Sequence, residues 1–225
     1  YWSFLGVTNS AALCTDASGN IYSANADNTV SKVTPSGTLT SNWATLSPGS
    51  SPRDMALDAS GNLYVANSDI NYISKITSAG VANNTWAEIG AGATSILTAT
   101  NGDVYVSAQN PNRIDKITSA GVITTNWASI PSGLIILDMT FDANGNIFAT
   151  VINNVTAVYT VCKIMPNGTI NSNFATLTGA TMSLKIICDD KRGVLYLINQ
   201  AEKTVSKVSM IDGTLTQQWV SFSGF

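Results

Sequence analysis

The chain has 225 residues, of which 44% are hydrophobic and only 11% are charged, and its formal net charge is −3. The eleven Lys and Arg residues are spread along the sequence and form no basic patch, which argues against duplex nucleic acid and anionic membranes as partners. No apolar run approaches the ~20 residues of a membrane-spanning helix, so we expect no transmembrane segment.

Three sequence markers recur in phase, at a period of about forty residues. In chain order, each unit has a glycine turn that opens an apolar strand, then a strand with a central lysine, and then an aromatic residue near its end. The turn glycines are Gly19, Gly61, Gly102, Gly145 and Gly193, the lysines are Lys32, Lys75, Lys116, Lys163 and Lys207, and the aromatics are Trp43, Trp86, Trp127, Phe174 and Trp219. Such a repeat indicates units that bury each other's apolar faces.

Each unit predicts four short strands, named a to d in chain order, and helical periodicity is absent. In the second unit these strands are predicted at residues 53–57, 63–66, 72–76 and 81–89. The a–b turn begins with Asp16 in the first unit and is aligned on Thr100 in the third. Its glycine supplies the positive φ of a type I turn with a G1 bulge. Strand b is apolar on both faces, whereas a sandwich strand with one solvated face would alternate.

These features predict an all-β fold, a β-propeller of five four-stranded blades in a single domain over residues 1–225. Six blades, or a fragment of a longer array, is the alternative. It arises because Tyr1 to Leu5, with Trp2, resembles a spare strand d ahead of the first complete unit. The chain starts without Met, and we expect a processed mature form or an excerpt from a longer protein.

The repeat pattern D-x-x-G-N-[IL]-Y, followed by a polar loop, [VI]-S-K-[VI]-T and a Gly turn, resembles the NHL-repeat propellers. Similar blades occur in virginiamycin-lyase-like and gluconolactonase-like propellers, and the resemblance covers essentially the whole chain. It implies the propeller architecture but indicates little about function, because propellers host lyases, lactonases, protein-binding modules and lectins.

The resemblance also implies which residues the related enzymes would need. The lyases and the zinc-dependent amidating lyase use histidine, and this chain has none. Gluconolactonase-like enzymes hold a divalent cation with a Glu, but Glu88 is predicted on strand d and Glu202 in a loop, not at the start of a strand a. We therefore predict a protein that is not an enzyme, with no catalytic residue, no metal site and no cofactor.

The innermost strands of a propeller line its channel, so residues of strand a are candidates for ligand binding. Alignment on the turn residue places Ala12, Asp54, Ile96, Asp138 and Lys185 in one ring, with Arg53 beside Asp54. Arg53, Asp54, Asp138 and Lys185 are the candidates for a ligand site at the channel mouth. The interpretation that we favour over a ligand site is that these four residues neutralise one another.

The lysine of each strand c and the aromatic of each strand d recur too regularly to mark one site. We expect each lysine stem to lie along a blade face while its ammonium reaches a turn Asp or solvent; a cationic ligand ring is the alternative. The aromatics are expected to fill the gap between blades. A platform for sugars is the alternative.

The loops between strands b and c vary most in sequence, and variable polar loops on a rigid scaffold are where recognition is expected. The candidate residues of these rim loops are Asn25, Asp27, Asn67, Asp69, Asn112 and Asn199. Solvated hairpin tips without a partner are the alternative.

The three cysteines show no CxxC spacing and fall in predicted strands, where buried thiols act as small hydrophobes. One disulfide between neighbouring blades is the alternative.

Taken together, the sequence predicts a non-catalytic binding or scaffold module, extracellular or at the cell surface, with a protein or glycan partner. It could be a component of a larger assembly such as a particle. A lectin-like propeller and a metal-dependent lactonase- or lyase-like enzyme are the alternatives.

Overall fold

In the computed structural model, the described residues are 10–177, 183–199 and 201–222, and their regular structure is β-strand. In this part of the chain the strands form five antiparallel sheets of four strands, and consecutive strands are neighbours in each sheet. These sheets are the blades of a five-bladed β-propeller, so the predicted fold class is confirmed. The predicted spare strand at residues 1–5, with Trp2, lies outside the described residues.

The strands have the following bounds. Blade 1 contains β1 (Ser10–Thr15), β2 (Ile21–Asn25), β3 (Thr29–Val33) and β4 (Leu39–Thr45), and blade 2 contains β5 (Pro52–Leu57), β6 (Leu63–Asn67), β7 (Tyr72–Ile76) and β8 (Ala82–Glu88). Blade 3 contains β9 (Ala93–Thr98), β10 (Val104–Ala108), β11 (Arg113–Ile117) and β12 (Ile123–Ser129). Blade 4 contains β13 (Leu134–Phe141), β14 (Ile147–Asn153), β15 (Tyr159–Ile164) and β16 (Ile170–Leu177), and blade 5 contains β17 (Ser183–Asp189), β18 (Val194–Asn199), β19 (Thr204–Ser209) and β20 (Leu215–Ser221).

The chain divides into two compact units, Tyr1–Pro111 with Asp115–Thr125, and Asn112–Ile114 with Asn126–Phe225. Within each unit, the residue that follows strand d, or ends it, shares an apolar cluster with strand a of the next blade. The pairs are Leu46 with Met55 and Ile89 with Ile96 in the first unit, and Leu177 with Ile186 in the second. Neighbouring blades thus cover each other's faces, which explains why strand b is apolar on both sides.

The a–b turn is held by one carboxylate. Asp58 Oδ1 accepts hydrogen bonds from the backbone N–H groups of Ser60 and Asn62 (both 2.9 Å), and Oδ2 accepts from Asn62 Nδ2 (2.8 Å) and Tyr64 Oη (3.1 Å). Asp16 makes the same set of bonds in blade 1. Because Tyr64 stands on strand b, the carboxylate ties the turn to the blade.

Blade 3 builds this turn differently, and here the sequence alignment on Thr100 is wrong by one residue. The backbone N–H of Gly102 donates to Ala99 O (2.9 Å), as that of Gly61 donates to Asp58 O (3.0 Å), so Ala99 occupies the Asp position. The missing carboxylate is supplied by Asp103, which accepts from Asn101 Nδ2 (2.9 Å) and pairs with Lys116 (2.9 Å).

Candidate functional site

The strand-a position that was predicted to line the channel can be assigned from cross-strand pairing. Its occupants are Ala12, Asp54, Ser95, Asp138 and Lys185, which pair with Ala24, Ala66, Ser107, Thr150 and Ile198 of strand b. Ile96, expected in this set, lies one residue further along β9 and belongs to the core. Ile96 was placed in this set because the sequence alignment of the third unit on Thr100 is wrong by one residue.

Asp54 is bound to the next blade of its unit. Its Oδ2 accepts hydrogen bonds from Ser95 Oγ and from the backbone N–H of Ile96, both at 3.0 Å. Ser95 is fully buried and occupies the position in β9 equivalent to that of Asp54 in β5. The side chain therefore links two neighbouring innermost strands.

Asp138 repeats this arrangement in the second unit. One carboxylate oxygen accepts from the backbone N–H of Ile186 (2.8 Å), and the other lies 3.3 Å from Lys185 Nζ. Asp138 is only 4% exposed, whereas half of the Lys185 side chain is accessible. The structure thus brings together two of the four predicted channel-mouth residues, Asp138 and Lys185, as an ion pair.

Arg53 contacts the rim, which is the end of the blades formed by the b–c loops and the d–a linkers. Its Nε donates to Ser68 Oγ (3.3 Å), and Ser68 Oγ donates to Asp69 Oδ1 (2.9 Å). Hydrogen bonds from Ser51 and Ser68, with the nearby Arg53 guanidinium, lower the pKa of Asp69. A predicted channel residue and a predicted rim residue thus meet in one exposed polar cluster.

Three of the predicted rim residues are the last residues of strands rather than parts of loops. Asn25, Asn67 and Asn199 are buried, and their Nδ2 groups donate to strand c. In blade 2, for example, Asn67 Nδ2 donates to Tyr72 O (2.9 Å) and Ser74 Oγ (3.1 Å). The positions of these amides indicate a role in closing the b–c hairpin.

The remaining predicted rim residues are closer to solvent. Asp27 is exposed and accepts from the Thr29 backbone N–H (3.1 Å) and hydroxyl (2.6 Å). Asn112 is half-buried. Among the residues predicted for the channel mouth and the rim, Asp27, Asp69 and Arg53 are exposed polar residues on this side.

The b–c loop of blade 4 contains an exposed apolar residue that the sequence analysis did not single out. Val155 is 85% exposed at the tip of the β14–β15 loop, next to Val158 at 42%. The loop is ordered by Asn153, whose Oδ1 accepts from the backbone N–H groups of Val155 (2.9 Å) and Thr156 (3.0 Å). The Asn154 N–H also donates to Gly133 O (2.8 Å) of the d–a linker. The sequence signal that could have identified Val155 is the Asn-Asn-Val-Thr segment, which places one apolar residue among polar residues between two apolar strands.

The strand-c lysines stack on aromatic rings, and the expected pairing with a turn Asp occurs at Lys116. Lys75 Nζ lies 5.3 Å from the ring centre of Tyr64 and 5.4 Å from that of Trp86, and Tyr64 and Trp86 are themselves 4.9 Å apart. Comparable cation–π geometry holds Lys32, Lys163 and Lys207. These lysines are built into the blade faces.

The strand-d aromatics follow the expectation of core packing in the first four blades. Trp43, Trp86, Trp127 and Phe174 are half-buried, whereas Trp219 is 50% exposed. Gly80 of the next blade lies against Trp43 so closely that a Cβ on it would stand 2.6 Å from Trp43 O. The ring edges are therefore backed by the neighbouring blade within the unit.

In residues 10–177, 183–199 and 201–222, His, Cys, Asp and Glu side chains do not gather in threes that could hold a metal ion. The three cysteines are free. Among the residues that can be placed, none form a helix long and apolar enough to cross a membrane.

No family model matches this chain, and no curated sequence does. Solved structures do resemble it. Virginiamycin B lyase from Staphylococcus aureus aligns with a TM-score of 0.75 and 18% identity, covering 92% of this chain and 68% of the lyase. A further structure of that enzyme is a catalytically inactive variant, with histidine replaced by alanine, in complex with quinupristin.

Two more structures extend the comparison. The extracellular domain of a one component system protein from Bacteroides thetaiotaomicron aligns with a TM-score of 0.66 and 18% identity, over 96% of this chain and 31% of that one. Regucalcin from Agrobacterium tumefaciens, described as a calcium-binding protein, aligns with a TM-score of 0.65 and 16% identity, over 93% and 73%. The resemblance to virginiamycin-lyase-like and gluconolactonase-like propellers is confirmed at the level of the fold, and at these identities the likeness shows the fold alone.

Proposed function

We propose that this chain is a non-catalytic binding or scaffold module, and that its rim recognises a protein partner outside the cytoplasm. The observation that carries the proposal is the β14–β15 loop, in which an ordered backbone presents Val155 at 85% exposure. An apolar side chain on a preorganised loop gains affinity on burial without a large cost for ordering the loop.

The chemistry of the strand-a residues supports a role without catalysis. Asp54 and Asp138, which occupy the same position of strand a in their blades, accept hydrogen bonds from the next blade and so stabilise the contact between blades. The chain has no histidine, while the histidine variant of the lyase is described as catalytically inactive. The likeness to an extracellular domain supports placing the module outside the cytoplasm, alone or within a larger assembly.

A binding experiment with matched variants tests this proposal. The immobilised chain is incubated with extract from its native source, and proteins retained by wild type are quantified for Val155→Asp and for Ile211→Asp. Ile211 is 88% exposed on the c–d turn of blade 5, at the opposite end of a blade from the rim. We expect a partner that V155D loses and I211D keeps.

Two results would count against a protein-binding rim. One is a set of retained proteins that both variants reduce equally, since the loss would then reflect a general effect of the new charge. The other is retention of glycans instead of proteins on the wild-type chain, which favours the lectin-like alternative. Turnover of a lactone or a streptogramin by the purified protein would overturn the non-catalytic assignment.

A further inference from the structure

Three Asn-Gly steps stand at the same position of a tight turn. They are Asn101-Gly102 in the a–b turn of blade 3, Asn144-Gly145 in that of blade 4, and Asn167-Gly168 in the c–d turn of blade 4. Each glycine has a φ between +79° and +84°, and its N–H donates to the carbonyl three residues earlier at 2.8–3.0 Å. All three asparagines are exposed. The backbone geometry of the three steps is therefore the same.

An Asn-Gly step can lose ammonia in an intramolecular reaction. The glycine nitrogen attacks Cγ of the asparagine, the Cγ–Nδ2 bond breaks, and the amide group leaves as ammonia with the proton that the glycine nitrogen gives up. Water then opens the cyclic imide at one of its two carbonyls, which gives aspartate or its β-linked isomer. Glycine favours the attack because it has no Cβ to obstruct it. The side-chain amide must turn towards the backbone, so hydrogen bonds that hold it elsewhere slow the reaction.

The side chains of the three asparagines are held to different degrees. Asn101 is held at both ends, because its Oδ1 accepts from the backbone N–H of Asp103 (3.1 Å) and its Nδ2 donates to the Asp103 carboxylate (2.9 Å). Asn167 is held once, since its Oδ1 accepts from the backbone N–H of Thr169 (3.0 Å). Within the described part of the chain, the side-chain amide of Asn144 has no hydrogen-bond partner.

The turn carboxylate explains why Asn144 is not held. In blade 4, Asp142 begins the turn, and its Oδ1 accepts from the backbone N–H groups of Asn144 (2.9 Å) and Asn146 (2.8 Å). Blade 3 has Ala99 at this position, so the Asn101 side chain accepts the N–H of residue 103 instead. An Asp at the start of the turn thus makes the bond that would otherwise restrain the asparagine before the glycine.

We infer that Asn144 is a deamidation site, which reacts with water as co-reactant in the folded protein, whereas Asn101 and Asn167 are protected by their side-chain bonds. The product adds a negative charge beside Asp142, and the β-linked isomer also adds a methylene to the backbone of the turn. In this turn the Ala143 N–H donates to Asp190 Oδ1 of blade 5 (2.9 Å). The modification therefore weakens a contact between blades 4 and 5.

Peptide mapping of the incubated protein tests this inference. The purified chain is kept at pH 8, and mass spectrometry after digestion at low pH quantifies asparagine, aspartate and the β-linked isomer at the three steps. Product at Asn144 should form about fivefold faster than at Asn167, which has one side-chain bond, and about 25-fold faster than at Asn101, which has two. The same incubation in guanidinium chloride is the control. Unfolding removes these bonds, so the three rates should converge.

Two variants separate the local structure from the sequence of the step. Asn144→Gln keeps an amide at residue 144 and should remove the acidic form that wild type accumulates. Ala99→Asp combined with Asp103→Asn gives blade 3 the Asp and Asn of the blade 4 turn, so Asn101 should then react as fast as Asn144. Circular dichroism confirms that both variants are folded.

Equal rates at the three steps in the folded protein would overturn the inference. So would an Asn144 that stays intact when folded but reacts when unfolded, or an Asn101 that remains slow in the folded double variant. The acidic form, isolated by anion exchange, should have a lower Tm than unmodified protein. An unchanged Tm would contradict the weakened contact between blades 4 and 5.

Discussion

The carboxylate of Asp138 accepts a 2.8 Å hydrogen bond from the backbone N–H of Ile186, and this bond connects the innermost strands of two adjacent blades. The bond from Ile96 to Asp54 does the same in the first unit. A polar position near the axis of a propeller suggests a ligand site from sequence. In this chain its carboxylates stabilise the contact between blades.

Asp138→Ala should therefore destabilise the protein far more than Lys185→Ala. Removing the carboxylate leaves the Ile186 N–H without this acceptor, a loss of about 1–3 kcal/mol for a buried donor. Lys185 is half exposed, and its removal should cost no more than about 1 kcal/mol. Urea unfolding at pH 7 measures both values, with Asp138→Asn as the control that keeps an acceptor oxygen. Equal losses for D138A and K185A would mean that the ion pair, and not the backbone bond, is the stabilising contact.

The a–b turn of blade 3, in which the carboxylate is at Asp103 and not at residue 99, gives a second prediction. Asp103 pairs with Lys116 at 2.9 Å and is 9% exposed, and the hydrogen bond that Lys116 donates to this carboxylate raises the pKa of Lys116. Asp103→Asn should lower the free energy of unfolding by about 1–3 kcal/mol because the charge-assisted bond is lost. Adding Ala99→Asp gives blade 3 the Asp turn that is found in blades 1 and 2. The double variant should therefore recover most of the lost free energy of unfolding. If A99D does not rescue D103N, the two positions do not share one structural role.

Close packing between blades can be tested at two glycines that differ in their surroundings. Gly80 has φ +85°, and an added Cβ would stand 2.6 Å from Trp43 O, while Gly90 has φ +65° and open space around it. Gly90→Ala should cost about 1 kcal/mol from backbone strain alone. Gly80→Ala adds the clash and should cost more, with a further drop in Tm. Similar Tm values for the two variants would show that blade 2 is not packed tightly against Trp43.

The cysteines should be protected from thiol reagents in the folded protein. Burial raises the pKa of Cys162 to about 12, and the same effect, reinforced by nearby aspartates, gives Cys14 and Cys188 values of about 12. At pH 8 the reactive thiolate is therefore scarce, and Ellman's reagent should titrate three thiols only after unfolding. Rapid reaction of Cys162 in native buffer would contradict the packing described for β15.

The sequence predicted the blades well because each recurs with the same spacing, and turn glycines fix where strands a and b meet. It failed where one unit departs from the pattern. In the third unit Ala99 replaces the turn Asp and the carboxylate is at Asp103, so Thr100 and Ile96 were aligned one residue late. Neither which side of a strand Arg53 faces nor the burial of Asn67 was visible in the spacing. The register of β5 against β6 shifts between Pro52 and Asp54, and the spacing of the repeat does not reveal such a bulge.

Acid should weaken the a–b turns in a predictable range. Burial alone would raise the pKa of Asp58, but hydrogen bonds from Asn62, Tyr64 and Ser60 outweigh it, so the folded-state pKa lies below the ordinary value of 3.8. A carboxylate with a lowered pKa contributes stability that is fully present above about pH 4 and is lost as the pH falls through the folded-state value. Wild type should therefore lose stability below pH 3.8 as this group protonates.

Asp58→Asn isolates this contribution, because the amide keeps the shape of the side chain but cannot ionise. At pH 7 the variant should be less stable than wild type by about 1–3 kcal/mol, since it loses charge-assisted bonds to Tyr64 Oη and the turn N–H groups. The difference between the two proteins should shrink as the pH is lowered below 3.8, because wild type then carries a neutral acid at the same place. Urea unfolding at several pH values measures it. A difference that stays constant from pH 7 to pH 2 would mean that the charge of Asp58 does not hold the turn.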